Sequence, residues 1–433
     1  MENRQCKTDL AIIGTGLAGC AATIFALNRG LSVAQAGNTG AIAYTTGYFD
    51  LLGAEQGDTT TLITDPWQGL NRLRTNEPRH PLARISDEDI QEAFTQVLSF
   101  IGAEGIGYVS SRKENVQAIT PAGTSKPTFA VPATMAAGVR ALRDKRPCLI
   151  VDFKGLRGFS SREVVANLRS QWPNLEAKRL IFPDSSSGEI YPEVMARALE
   201  VPATQDKLAE KIKEVSGDAE VIGMPAILGI HHPDKVLKKM ESLVGKALFE
   251  IPTMPPSVAG IRLREMIEQV FPTRGVELIA QQKIHTVEFV DDSIKLHVKD
   301  TYGSIVIEAK SVILASGRFL SGGLTSDMHA ISEPLLGLHI AQPKSRDQWF
   351  CEQYMASQGH EAHRAGILVD DLFRVLDGTG KIVDPRLFAA GTILANQDWI
   401  RQRCGAGVAL ATAYRAVQGV EILLNTAHTE KNV

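Results

Sequence analysis

The stretch TDLAIIGTGLAGCAATIFALN, Thr8 to Asn28, decides the fold class. Thr8 to Ile13 is a short apolar run with β-branched residues that stops at Gly14. Leu17 to Asn28 then reads as an alanine-rich helix ending at Gly30, and Leu31 to Ala36 supplies a second strand. Between the first strand and the helix lies GTGLAG, which satisfies G-x-G-x-x-G in a β-α-β setting. In such a turn Gly14 permits the tight bend, Gly16 lets the backbone approach a phosphate, and Gly19 lets helix and strand pack closely. The helix N-terminus supplies oriented N–H donors and the positive end of a dipole. Gly14, Thr15, Gly16, Leu17 and Gly19 are therefore expected to cradle a phosphate.

One part of the dinucleotide fingerprint is missing. The acidic residue that normally ends the second strand, where it holds an adenosine ribose hydroxyl, is replaced by Gln35-Ala36-Gly37, and no Asp or Glu occurs between Asp9 and Asp50. A phosphate is thus better supported than an adenine dinucleotide.

The composition narrows the class further. The 433 residues are enough for two or three domains. With 46 Lys and Arg against 49 Asp and Glu, the net charge of −3 gives no electrostatic case for nucleic acid or an anionic membrane. The five cysteines, Cys6, Cys20, Cys148, Cys351 and Cys404, are odd in number and widely spaced, so neither a disulfide framework nor an iron-sulfur or zinc knuckle can be written. A reducing, cytoplasmic setting is expected. No secretory leader and no run of about 18 apolar residues is found, so direct membrane insertion is not expected.

The organisation changes along the chain. Helical periodicity at Asp87 to Ile101 gives way to an irregular stretch reaching Pro132. Strands and helices then alternate: CLIVDF from Cys148, a helix over Ser161 to Ser170, a helix over Pro202 to Val215, VIGMPAI from Val221, a helix over Pro233 to Val244, and ALFEI from Ala247. After PTMPPS a long helix runs to Val270, and three or four strands follow within 276–307, with turns at Asp291-Asp292 and Tyr302-Gly303. The apolar strand Ser311 to Ala315, a strand at Leu387 to Ala390 and an alanine-rich helix from Gly405 complete the chain. The expected architecture is α/β. A discontinuous Rossmann-like domain spans 1–75 and 256–433, includes a β-meander at 276–307, and is interrupted by an α/β cap or partner-binding domain at 76–255.

Two further segments fit the same site. VILASG, ending in Ala315, Ser316 and Gly317, resembles the strand and small turn that two-dinucleotide-fold flavoproteins place beside their cofactor. LFAAGT, ending in Gly391 and Thr392, resembles their late strand, whose final residue is usually acidic; Thr392 carries no charge. RCGAGVALATAY opens a helix at Gly405, Ala406 and Gly407. In related flavoproteins this helix directs its dipole at the flavin pyrimidine edge.

Taken with TTGYFDLL (Thr45, Thr46 and Gly47 onward), HPL at His80, MPAILG at Met224, PTMPPSVAGIRL at Pro252, VILASGRFLSGGL at Val312 and EPLLGL at Glu333, these motifs identify a resemblance to the B-type subunit family of bacterial anaerobic glycerol-3-phosphate dehydrogenase. The resemblance covers almost the whole chain. It implies a protein that binds FMN, with FAD as the alternative. Its partners would be an A-type subunit that contains FAD and a C-type subunit with iron-sulfur clusters, and the complex would pass electrons from glycerol 3-phosphate to quinone. It also implies a cytoplasmic location, peripheral at the inner membrane through those partners. Thr45, Thr46 and Gly47 join the expected cofactor contacts on this ground.

Catalytic residues are less legible. Arg403, Arg318 and His80 are candidates for binding a phosphorylated polyol or moving a proton, with Asp50, Arg262 and Arg264 behind them. His360-Glu361-Ala362-His363 lacks the H-E-x-x-H spacing and is not expected to bind metal. Cys404, without a partner cysteine, is expected to be a bystander. Two other readings stay open: a stand-alone flavin oxidoreductase for another small substrate, and a scaffold that has lost its flavin.

Overall fold

A computed structural model describes residues 4–38, 40–185, 188–299 and 303–430. The expected turn at Tyr302-Gly303 falls partly outside them. The chain divides into two compact units: Met1–Ile42, Asp50–Val97 and Ile267–Val433 form the first, and Ala43–Phe49 with Leu98–Met266 form the second.

The first unit is built on one seven-stranded sheet. The sheet strands and the two helices that start at its edge are β1 (Arg4–Ile13), α1 (Leu17–Asn28), β2 (Val33–Gly37), β3 (Glu277–Ala280), β4 (Ile284–Phe289), β5 (Ile294–Lys299), β6 (Ser304–Leu314), β7 (Leu387–Ala389) and α2 (Gly405–Glu430). The strand order is β3-β2-β1-β6-β5-β4, and β7 also pairs with β6. β1, β2, β3, β6 and β7 run parallel, whereas β4 and β5 form an antiparallel ribbon attached to β6. Leu10 to Ile13 and Val312 to Leu314 are buried, as the centre of a parallel sheet covered on both faces requires. Alanine, glycine and cysteine along α1 let the helix sink until Ala18 to Ala26 are all buried. Phe25 meets Tyr414 of α2 edge to face at 5.1 Å, and Arg29 is ion-paired with Glu421 at 2.9 Å.

The strands from 276 to 307 do not form one meander. Glu277–Ala280 crosses to the far edge beside β2, while the run expected to break before Ser311 continues as an eleven-residue β6. Its first half pairs with β5, and its last residues pair with β7. The two expected strands are one because β6, paired with β1 along its length, exchanges β5 for β7 on its other edge without changing direction.

The second unit carries a four-stranded parallel sheet in the order Leu175–Leu180, Cys148–Phe153, Val221–Pro225, Ala247–Ile251. Alternate strand residues feed two cores, Leu149, Val151 and Phe153 on one face and Cys148 and Ile150 on the other. Arg262 and Glu250 form a fully buried bidentate pair at 2.7 Å for each bond, and Arg262 Nε donates to the Gly229 carbonyl at 2.8 Å.

The division falls at other residues than 75/76 and 255/256. Residues 77–96 join the first unit through long-range polar bonds. Glu77 holds Arg364 and Gln402, His80 meets Gln402, Asp89 accepts from Gln418, and Gln96 accepts from Asn28. Residues 43–49 join the second unit, where Phe49 stacks on Tyr108 at 4.8 Å and the Tyr48 hydroxyl donates to the Ile119 carbonyl at 2.7 Å.

Gly14 and Gly19 are among the tightest points of the first unit. A Cβ at Gly14, where φ is +126°, would lie 2.3 Å from the Ala315 carbonyl oxygen, and one at Gly19 would lie 2.1 Å from the Gly14 carbonyl oxygen. Both obstacles are backbone and cannot rotate away. Gly14→Ala and Gly19→Ala should each cost at least about 2 kcal/mol of stability. Chemical denaturation checks this, and a loss below about 0.5 kcal/mol at either position would contradict the packing.

Candidate functional site

Parallel pairing brings three strand ends to one edge. Ile13 is in register with Leu314, and Leu314 with Ala389. The chain leaves each strand there: the Gly14 N–H donates to the Ala36 carbonyl at 2.8 Å, Ala315 N–H to Ile13 at 2.8 Å, and Ala390 N–H to Leu314 at 3.0 Å. The turns Gly14–Gly19, Ala315–Gly317 and Gly391–Thr392 thus stand side by side at the carboxyl edge, the place where open α/β sheets bind ligands. A Cβ at Gly391 would meet Ala18 Cβ at 2.6 Å, and one at Gly317 would lie 3.9 Å from Thr392 Oγ1.

This edge carries donors without protein partners. Gly16 is the N-cap of α1, no side chain caps it, and a Cβ added there would touch nothing within 4 Å. The first-turn N–H groups therefore open onto free space. The Ser316 hydroxyl is buried and has no hydrogen-bond partner among the described residues. Open N–H groups, an orphaned hydroxyl and turns reduced to glycine fit a phosphate-bearing cofactor.

The position of the missing acid has a physical reason. A Cβ at Gly37 would lie 3.0 Å from both Gly14 Cα and Thr15 N, so any side chain there would crowd the phosphate turn. Its neighbour Gln35 is wholly buried and braces the turn from beneath. Gln35 Nε2 donates to the Gly14 carbonyl at 2.8 Å, and its Oε1 accepts from Thr23 Oγ1 at 3.0 Å. The Thr15 hydroxyl donates to the Asn38 carbonyl. A lone amide inside the apolar strand VAQAG was the available signal for this brace.

The start of α2 is organised differently. Arg403 has a left-handed backbone (φ +49°), and the ring of Trp399 lies over Gly405. The Gly407 N–H donates to the Asp50 carbonyl at 2.7 Å, and a Cβ at Gly407 would lie 2.4 Å from the Leu51 carbonyl oxygen. About two turns on, the Thr412 hydroxyl accepts from the Gly391 N–H at 2.8 Å, tying the helix to the edge. Cys404 is fully buried, and burial holds its thiol well above the usual pKa.

The catalytic candidates diverge. His80 is fully buried and caps the short 3-10 turn Pro81–Arg84: Nδ1 accepts from the Leu82 N–H at 3.1 Å, which leaves Nε2 as donor to Gln402 Oε1 at 3.2 Å. Burial drives its pKa down to about 3, so the ring is neutral and both nitrogens are occupied. Arg403 Nη1 is buried without a partner among the described residues. Arg318 donates from Nη1 to the Ala365 carbonyl at 2.7 Å and to Thr392 at 3.2 Å, and from Nη2 to Ala362 at 3.0 Å. Burial lowers its pKa to about 10, still cationic at neutral pH. Thr45, Thr46 and Gly47 belong to the second unit, where the Ser257 hydroxyl donates to the Thr45 carbonyl at 2.7 Å and Gly47 has φ +84°. Arg262 is committed to Glu250, and Arg264 lies 3.7 Å from Glu265.

One cluster escaped the sequence reading. Asp398, 1% exposed, lies 3.2 Å from Arg401 and 3.7 Å from His363. Burial opposes its ionisation, but His363 and Arg401 outweigh burial and hold the carboxyl below its usual range. His360 accepts from the Cys351 N–H at 3.2 Å. Among the described residues no group of three or more His, Cys, Asp or Glu side chains could hold a metal.

Residues 9–408 match the family described as FAD binding domain, and the chain belongs to it. Fold and family define a flavin-binding oxidoreductase with the Rossmann-like flavoprotein fold. Among curated relatives, the B-type subunit of the anaerobic glycerol-3-phosphate dehydrogenase of Yersinia pseudotuberculosis is 29% identical over 418 residues, covering 94% of this chain and 96% of that one. The protein of the same name from Vibrio cholerae serotype O1 is 28% identical over 439 residues, covering 98% of each. These relatives bear out the resemblance carried by the motifs. A solved 3-ketosteroid delta1-dehydrogenase from Sterolibacterium denitrificans is similar at 11% identity, over 96% of this chain and 99% of that one, with a TM-score of 0.42.

Two outcomes are expected. Gly16→Val should leave stability within about 0.5 kcal/mol of the parent, because its side chain enters open space, yet abolish most flavin retention; full flavin content in the purified variant would refute a ligand over this turn. For His80, the folded pKa lies below the ordinary value of about 6.5. The unfolded chain then binds the extra proton as pH falls below about 6.5. His80 should thus cost stability on acidification by up to about 1.4 kcal/mol per pH unit down to about pH 3. Denaturation of His80→Gln and wild type at pH 7 and pH 5 measures it: the variant should lose less on acidification, and equal losses would show that His80 is not buried neutral.

Proposed function

We propose that the chain is the flavin-carrying subunit of a multi-subunit dehydrogenase that oxidises sn-glycerol 3-phosphate to dihydroxyacetone phosphate. Two electrons and two protons leave the substrate, and the electrons pass on toward membrane quinone. The observation carrying the substrate assignment is that similarity to the B-type relatives runs over nearly the whole chain rather than over the cofactor motif alone. A bound flavin would supply the two-electron acceptor. Gly14 to Gly19 would hold its phosphate, and Ser316, Gly317, Gly391 and Thr392 would line the edge beside it.

FMN is the proposed form. The family's description names FAD, but Gly37 leaves no carboxylate for an adenosine ribose, and a Cβ there would press on the phosphate turn at 3.0 Å. The electron route is proposed to include an A-type subunit that contains FAD and a C-type subunit with iron-sulfur clusters, with attachment at the inner membrane through them. Among the described residues no helix is long and apolar enough to cross a membrane. Among those residues no base cluster is evident at the flavin edge, and His80 is a neutral cap, which favours electron relay in this protein with substrate oxidation completed in the assembly.

Competitive titration of the apo-protein should show FMN binding at least as tightly as FAD; clearly tighter FAD binding would overturn the assignment. Glycerol 3-phosphate oxidation with an artificial acceptor should be slow for the isolated chain and rise at least about tenfold with the other subunits. A full rate from the isolated chain would replace this reading with a stand-alone dehydrogenase.

A further inference from the structure

We infer that Arg318 is the fixed positive charge of the flavin edge, serving the cofactor through its charge and not only through its hydrogen bonds. The inference rests on the reading that a flavin occupies this edge. Arg318 follows Gly317 directly, and its guanidinium joins the Ala315–Gly317 turn to Thr392 and to the segment around Ala362 and Ala365. All three acceptors are neutral carbonyls. Among the described residues no carboxylate is ion-paired with Arg318, although the nearby arginines are paired: Arg364 with Glu77 at 2.9 Å and Arg401 with Asp398 at 3.2 Å.

A staple alone does not require this arrangement. Withdrawing a cation from water is costly unless a countercharge is near, and carbonyl dipoles satisfy its donors without neutralising it. Asp398 is the carboxylate whose field reaches Arg318, but that charge is already shared between Arg401 and His363. A neutral amide could donate to carbonyls at a lower desolvation cost. A cation with no ion-paired carboxylate among the described residues, bonded to the backbone of one site turn and following another, fits a ligand that brings its own negative charge, either a phosphate or a ring that becomes more negative on reduction. A fixed cation beside such a ring favours its reduced form.

The test compares wild type, Arg318→Lys and Arg318→Gln for flavin content, flavin midpoint potential and thermal stability. Lysine keeps the charge and loses the fork; glutamine keeps a donor and loses the charge. Arg318→Gln should lose flavin or titrate at a more negative potential, while Arg318→Lys stays at wild type in both readings, even though Tm falls in both variants. A wild-type potential and flavin content in Arg318→Gln would overturn the inference, as would Arg318→Lys shifting as far as Arg318→Gln, which would leave Arg318 a staple. If Arg318→Gln does not fold, Arg318→Met serves as the neutral variant: lost flavin or a more negative potential beside an unchanged Arg318→Lys upholds the role of charge, and wild-type readings in Arg318→Met overturn it. Wild-type protein that retains no flavin would refute the flavin reading itself, a result distinct from failure of the variants to differ.

Discussion

The parallel register of β1, β6 and β7 is the constraint on which the site depends. Ile13, Leu314 and Ala389 lie abreast, so three chain segments separated by up to hundreds of residues must turn within the same few ångströms. Side chains have no room there. The Ala315 carbonyl excludes a Cβ at Gly14, Ala18 excludes one at Gly391, and Gly317 has the left-handed φ of +71° that favours glycine. Because side chains alternate along a strand, a slip of one residue would carry Ile12 and Ile313 to the wrong face and separate the turns. The burial of the strands therefore fixes the site, and the small residues of the motifs follow from that crowding. Gly16 is the exception, since its space is open, and that openness marks where a ligand belongs.

The edge carries neutral residues at two places where acids are usual, and Arg318 is bonded to it. At the end of β2 the glycine that replaces the expected acid packs on the turn, and the amide of Gln35 stabilises that turn from inside the fold. Such a buried amide is stabilising only if both its donor and its acceptor are satisfied, and Gly14 and Thr23 satisfy them. At the end of β7, Thr392 stands where a carboxylate is usual, and its backbone carbonyl receives Arg318 instead. The electrostatic balance of the edge is thereby shifted toward positive charge relative to a site with both acids, which suits an anionic ligand.

Legibility in the sequence followed the range of the interactions involved. The α1 boundaries and the start of α2 were readable because glycine punctuation and apolar periodicity are local signals, and each turn of the site was readable because its crowding leaves small residues behind. The partner change along β6 and the excursion of β3 to the far edge were not, since strand pairing is a long-range choice that Val276 to Leu314 does not encode by itself. Residues 77–96 fall on the other side of the expected boundary for the same reason: they are anchored by Gln402, Arg364 and Gln418, each more than 280 positions away. His80 illustrates the limit for chemistry. A histidine followed by proline reads equally as a catalytic group or as a cap, and only the two bonds to Leu82 and Gln402 decide that it caps.

The N-termini of α1 and α2 are not equivalent, although both begin in glycine-rich turns. The first turn of α1 faces open space, so its N–H groups and dipole act on whatever occupies it. At α2 the segment Asp50-Leu51 already lies on the helix start, and the Gly407 N–H is donated to Asp50. A helix dipole contributes about 0.3–1 kcal/mol and acts mainly within the first turn, so a donor consumed there lowers what remains for a ligand. The open first turn is therefore that of α1, whereas the start of α2 is tied to Asp50 through Gly407 and to Gly391 through the Thr412 hydroxyl.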